Sequence, residues 1–155
     1  MADVKTLAKD LTKEPPRSPR ERIHGYAVIA RMIDKCRADI AGTKGEFHFD
    51  CPVDNMLFGF KGLKGPDVRE FIATGASDEE IANYVDTHGT PKTADEIKAW
   101  ADSTDANSPH GDPEKGAWFD GECVRLGLDP TTSTLWDMLE ADDKTIGKEK
   151  DENRS

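Results

Sequence analysis

The sequence predicts an all-α protein, on three observations. Apolar residues recur at helical spacing from Ile23 through Tyr26, Ala27, Ala30 and Ile33 to Ile40. A serine or threonine stands three residues before a glutamate at Ser18/Glu21, Ser77/Glu80 and Thr93/Glu96. Alternation of apolar and polar side chains is confined to the short run Glu46–Asp50. The first pattern is the stripe of a helix packed along one side, and the second is the capping box that opens a helix. The third leaves room for at most one short strand or hairpin near residues 46–50. The expected organisation is a flexible arm over residues 1–13, a single compact helical domain over 14–143, and a disordered charged tail over 144–155.

Each element has its own local reason. In the arm, Val4, Leu7, Ala8 and Leu11 share one side of a helical turn or two, which Pro15 and Pro16 stop. Ser18, Pro19 and Glu21 read as N-cap, first helical position and capping-box partner, so a long central helix is expected from Pro19 to about Ala41, closed at Gly42. Pro52 ends the extended run, and Asp54 with Asn55 restarts the chain as a short helix carrying Met56, Leu57, Phe58 and Phe60. Pro66 or Asp67 opens the next helix, through Val68, Phe71 and Ile72, which Gly75 terminates. Ser77 caps a helix bearing Ile81 and Val85, and Thr93 caps one bearing Ile97 and Trp100. Asp112 with Pro113 opens a helix through Trp118 and Phe119, and Thr131 to Thr134 supply caps for Leu135, Trp136 and Met138. Trp100, Trp118 and Trp136 are expected as core anchors, one for each late helix.

Composition narrows the function. The formal net charge of -10 excludes general binding to nucleic acid or to an anionic membrane surface, because phosphate backbones require a basic face. No apolar run reaches the roughly 18 residues that a spanning helix needs. The opening MADVKTLAKDLTKEPP lacks the apolar core of a secretory signal, so a cytoplasmic location is expected. Cys36, Cys51 and Cys123 are odd in number and widely spaced, which reads as reduced thiols. Charge is nonetheless uneven: bases dominate Arg17–Arg37 and acids dominate Asp95–Asp143. The plain expectation for that asymmetry is that the two halves pack together by complementary charge.

The run PPRSPRERIHGY, the IDKCRADIAG that follows it, GEFHFDCPVDNMLFGF and SDEEIANYVDTHGTPKTADEIKAWAD together resemble an uncharacterised bacterial domain-of-unknown-function family, from about Leu11 to Asp143. The resemblance implies a small stand-alone bacterial protein. It brings no activity, cofactor or catalytic residue with it.

Two places concentrate side chains with chemistry. The stretch Gly45–Phe60 holds a histidine, a thiol and carboxylates among aromatics, and an extended backbone sends Phe47, Phe49 and Cys51 to one side and Glu46, His48 and Asp50 to the other. His48, Asp50 and Cys51 are the candidate catalytic residues, the thiol as nucleophile beside an imidazole base, with Asp50 or Asp54 as orienter. On the predicted long helix, Arg20, His24, Arg31 and Lys35 fall on a common face and form a cationic ridge. With Arg17 at the helix start and Tyr26 beside it, Arg17, Arg20, His24, Arg31 and Tyr26 are the candidate ligand-binding residues for a small anionic metabolite, since a guanidinium pairs both oxygens of a carboxylate or phosphate. His48 and Asp50 provide only two ligands on one side of a strand, and no H-x-x-x-H pattern is present, so no metal and no cofactor are expected.

These readings favour a small anionic-ligand-binding protein, with or without enzymatic activity, with its pocket between the long helix and segment 45–60. The alternative is a non-catalytic interaction or regulatory module that meets an unidentified protein through its acidic, tryptophan-bearing second half.

Overall fold

The computed structural model describes residues 3–146 and is all-helical. In chain order the helices are α1 (Val4–Leu7), α2 (Ile29–Ala41), α3 (Pro52–Lys61), α4 (Gly65–Ile72), α5 (Asp78–Thr87), α6 (Ala94–Ala106), α7 (Gly116–Arg125) and α8 (Leu135–Asp143). Among the described residues no strand forms, and the sole extended pairing is an isolated bridge between Ile23 and Tyr26. No helix among them is long and apolar enough to cross a membrane.

Helix α2 is the axis of the fold. Every residue from Ile29 to Ala38 is buried, including four charged ones. Its apolar side chains join one cluster with Leu57 and Phe58 of α3, Val68 and Ile72 of α4, Ile81 and Val85 of α5, Ile97, Phe119 and Trp136. A helix buried all round must satisfy any charge it carries, and each of the four has a partner on a different part of the chain. Arg31 Nη1 donates to Asp143 Oδ2 at 2.8 Å, and the Arg17 side chain donates to Asp34. Lys35 Nζ lies 2.9 Å from Asp54 Oδ1, and Arg37 Nη1 donates to Asp78 Oδ1 at 3.0 Å. The basic first half and the acidic second half therefore meet by complementary charge, as Arg20 on Asp137 and Glu140, and Arg22 on Asp102 and Asp105, also show.

The start of α2 corrects the sequence reading. Ser18 does cap a turn, with its Oγ accepting from Arg20 N at 3.1 Å, but the turn does not propagate. His24 and Gly25 both take positive φ, 53° and 85°, which is the backbone of a two-residue reversal, and Ile23 pairs with Tyr26 across it. A helix interior disfavours glycine by about 1 kcal/mol, and here Gly25 also runs so close to α6 that a Cβ would lie 3.3 Å from Ile97 Cγ2. The helix begins eleven residues beyond Ser18, at Ile29, after Val28 has turned the chain at φ 73°. Arg20 and His24 consequently precede the helix and share no face with Arg31 and Lys35.

Elsewhere local signals and structure agree. Ser77 and Thr93 close capping boxes with Glu80 and Glu96, and Thr134 does so with Asp137. Asp112 holds a turn by accepting from Glu114 N and Lys115 N, and α7 starts after it at Gly116 rather than at Pro113. Within residues 3–13, Val4 and Leu11 are buried, and Leu11 N donates to Thr43 O at 2.9 Å. Most of the predicted tail, 147–155, lies outside the described residues. Of the three tryptophans Trp136 is buried, Trp100 stacks on Phe60 at 4.7 Å, and Trp118 is 53% exposed and anchors nothing in the core.

Candidate functional site

The segment Gly45–Cys51 keeps its two sides without forming a strand. Phe47, Phe49 and Cys51 are half-buried, while Glu46, His48 and Asp50 are exposed. Phe49 sets its ring edge-on to Phe58 at 6.0 Å, and the Arg31 guanidinium lies 5.5 Å above the Phe47 ring. Asp50 adopts φ 62° and accepts from Asn55 Nδ2, and its carboxylate covers Gly65 so closely that any Cβ there would collide. Packing of α4 against this loop therefore depends on a glycine at its first position.

The candidate catalytic residues are not brought into mutual contact. Nδ1 of His48 lies 3.4 Å from Lys44 Nζ, whereas the Cys51 thiol faces Lys35 Nζ at 3.0 Å. Asp54, which the sequence offered as an orienter, is fully buried and turned to Lys35 and to the Asp50 amide. Burial pushes its carboxyl above the ordinary range, against the pull of the lysine. All three candidate anion-binding arginines already hold acids: Arg17 holds Asp34 and Asp78, Arg20 holds Asp137 and Glu140, and Arg31 holds Asp143.

His24 and Tyr26 come together at a different place. The reversal at His24–Gly25 delivers the imidazole to α5, where Nδ1 lies 2.6 Å from Asp86 Oδ2 and Nε2 lies 2.8 Å from Glu79 Oε1. The other oxygen of Asp86 accepts from the buried Tyr26 hydroxyl at 2.9 Å. Tyr26, Asp86, His24 and Glu79 thus form a continuous chain of hydrogen bonds from core to surface. With a carboxylate on each ring nitrogen, Asp86 foremost and Glu79 next, the His24 pKa rises above 6.5, which favours the charged ring. Burial, reinforced by the bond to Asp86, raises the Tyr26 phenol and keeps it protonated.

Beside this chain lies a cavity of about 420 Å³ lined by Arg22, His24, Gly25, Asp86, Ala94, Ile97 and Lys98. It sits between the loop before α2 and helices α5 and α6. The bonds of Arg22 leave from Nη2, to Asp102 and Asp105 at 2.9 Å each. Lys61, at the end of α3, is 1% exposed and has no ion-pair partner among the described residues. Burial lowers its pKa, with the Asp86 charge opposing that and Lys92 adding to it. Glu79, Asp86, Arg22 and Lys98 were not foreseen as site residues; a signal was present only for Arg22, which belongs to the basic run before α2. Among the described residues no group of three or more His, Cys, Asp or Glu side chains is placed to hold a metal ion.

Fold and site define a small helical protein built around a charged central helix, with a carboxylate-bracketed histidine at the edge of a cavity. The chain belongs to the family described as Domain of unknown function (DUF5069), whose model matches residues 13–145. A comparison with curated proteins returns no match.

Proposed function

We propose that the protein binds a small organic anion, a carboxylate or phosphate ester with a compact apolar portion, in the cavity beside His24. One observation carries the reading. In a chain of formal net charge -10, the cavity lining carries three basic side chains, Arg22, His24 and Lys98, and one acid, Asp86; Asp102 also holds Arg22 Nη2 and, at 2.7 Å, Lys98 Nζ, while Nε and Nη1 of Arg22 stay clear of those bonds. Ala94, Ile97 and the backbone of Gly25 supply an apolar wall for the rest of the molecule. In this reading the Nε and Nη1 donors of Arg22 take the anion, imidazolium His24 adds charge at fixed orientation, and Asp86 serves to hold His24 rather than to meet the ligand. The binding residues are then His24, Arg22 and Lys98, with Tyr26 behind them; Arg17, Arg20 and Arg31 hold the fold together.

The test is a backbone and His-ring NMR titration with acetate, benzoate, inorganic phosphate and phenyl phosphate at millimolar concentration. Localised shifts at Gly25, Ala94, Ile97 and the His24 ring, lost in Arg22→Ala, are expected. Absence of any localised shift across the four probes removes the reading.

A second reading rests on α7, where Ala117, Trp118, Gly121 and Val124 are all exposed, Trp118 and Val124 by 53% and 69%. Large apolar side chains left in water together, with acids such as Asp120 and Glu122 beside them, favour a protein-binding face. Saturation-transfer mapping in cell extract that broadens Trp118 and Val124 but leaves Ile97 untouched supports this face over the cavity.

A further inference from the structure

Independently of the cavity, the three cysteines differ in a way that gives one of them a chemistry. Cys36 and Cys123 are buried, and burial pushes the Cys36 thiol up to about 12. Cys51 is half-exposed, at the residue that precedes α3. Lys35 reaches it from α2 with Nζ 3.0 Å from Sγ, and the same Nζ lies 2.9 Å from Asp54 Oδ1. The lysine side chain is 4% exposed and Asp54 is wholly enclosed, so solvent does not loosen the arrangement. The second oxygen of Asp54 accepts from Asp50 N at 2.9 Å, which fixes the carboxylate. A partly exposed cysteine, an amine in contact with its sulfur, and a carboxylate in contact with the same amine thus meet at one place.

We propose that Lys35 and Cys51 form a reversible sulfur–nitrogen cross-link when the protein meets a hydroperoxide. Of the three cysteines Cys51 is the one that is not buried, and so the one a peroxide can reach. In the first step the Cys51 sulfur attacks the distal oxygen of hydrogen peroxide; an S–O bond forms, the O–O bond breaks, and the departing hydroxide takes up a proton as water. Sulfur is oxidised by two electrons to a sulfenic acid and the peroxide is reduced. In the second step the Lys35 ammonium passes one proton to Asp54, and the freed amine attacks the sulfenyl sulfur. The S–N bond forms, the S–O bond breaks, and the leaving hydroxide departs as water with a second proton from nitrogen. Sulfenic acids are known to condense with a backbone nitrogen to a sulfenamide, and here the side-chain amine takes that part. One N–H remains on the sulfenamide, and Asp54 keeps its proton. The enclosed ion pair is thereby exchanged for two neutral groups, a change that the raised carboxyl of Asp54 favours. Two equivalents of an external thiol restore cysteine and lysine and release a disulfide.

The experiment is peptide mapping by mass spectrometry, without reductant, of the full-length native protein before and after hydrogen peroxide. Expected is loss of the separate Cys51 and Lys35 peptides and appearance of a joined pair lighter than their sum by two hydrogen atoms, reversed by dithiothreitol. In Lys35→Arg, which keeps the charge and lacks a nucleophilic amine, dimedone labelling of Cys51 should rise several-fold over the wild type. Conversion of wild-type Cys51 to sulfinic acid with Lys35 free overturns the proposal, as does a Cys51 that peroxide leaves unchanged. A joined pair that retains the oxygen atom overturns the condensation step. The wild-type map decides the question even if the variant does not fold.

Discussion

Lys35 and His24 are both basic side chains held by carboxylates, and their surroundings make them different objects. The lysine and Asp54 have been removed from water, so their pairing is an obligation of the fold: either partner alone would be a charge in a low-dielectric interior. His24 sits at the edge of the cavity between Asp86 and Glu79, which are 37% and 69% exposed, so solvent shares the work and the cluster can respond to pH and to a ligand. The same pairing chemistry is either a fixed part of the core, as at Lys35, or a solvent-shared cluster, as at His24. Burial decides which.

The sharpest way to break that contrast is to remove one partner of the enclosed pair. Asp54→Ala strands Lys35 and should cost about 3–5 kcal/mol in urea unfolding, whereas Lys35→Met with Asp54→Leu should recover most of the loss. A double variant as unstable as the single one would show that the pair is not the reason for the damage. Breaking the exposed cluster should do less, and its effect should depend on pH. Because the folded-state pKa of His24 is raised above 6.5, its stabilisation is fully present below that value and fades as pH rises through the folded-state pKa. The stability gap between wild type and His24→Gln should therefore be widest below 6.5 and shrink as pH rises above it; a gap that widens with pH contradicts the assignment. Asp86→Asn should move the His24 ring titration, followed by NMR, back toward 6.5. Next in size, Ser77→Ala removes the cap of the helix that carries both carboxylates and should cost about 1 kcal/mol. Smallest of all, Trp118→Ala should change stability by no more than about 0.5 kcal/mol, while Trp136→Ala, in the core, should cost about 3–5 kcal/mol.

How much of this was legible depended on the range of the forces involved. Capping boxes are written within four residues, and those at Ser77 and Thr93 could be read directly because nothing distant overrules them. The start of α2 could not be read the same way. Ser18, Pro19 and Glu21 form a sound local signal, yet the chain is taken away from helix by the positive φ at His24 and Gly25 and by the ties of Arg20 to α8 and Arg22 to α6. The dipeptide His-Gly inside the stripe was the available warning. The charge asymmetry between halves did foretell the packing of Arg20, Arg22 and Arg31 on late acids. Individual pairings were beyond reach, since His24 finds Glu79 and Asp86 across 55 and 62 residues of chain. His48, Asp50 and Cys51 are neighbours in sequence, but alternation of sides sends the thiol toward α2 and leaves the imidazole in solvent.

The four ion pairs of α2 also have a geometric meaning. Successive residues of an α-helix are turned by about 100°, so Arg31, Asp34, Lys35 and Arg37 address four separate neighbours like the notches of a key. Were the helix to slip by a single position, apolar contacts would be partly regained because its stripe is broad, but all four charges would face strangers at once. Hydrophobic burial accounts for why α2 is at the centre; the charged notches account for why it rests there in one orientation.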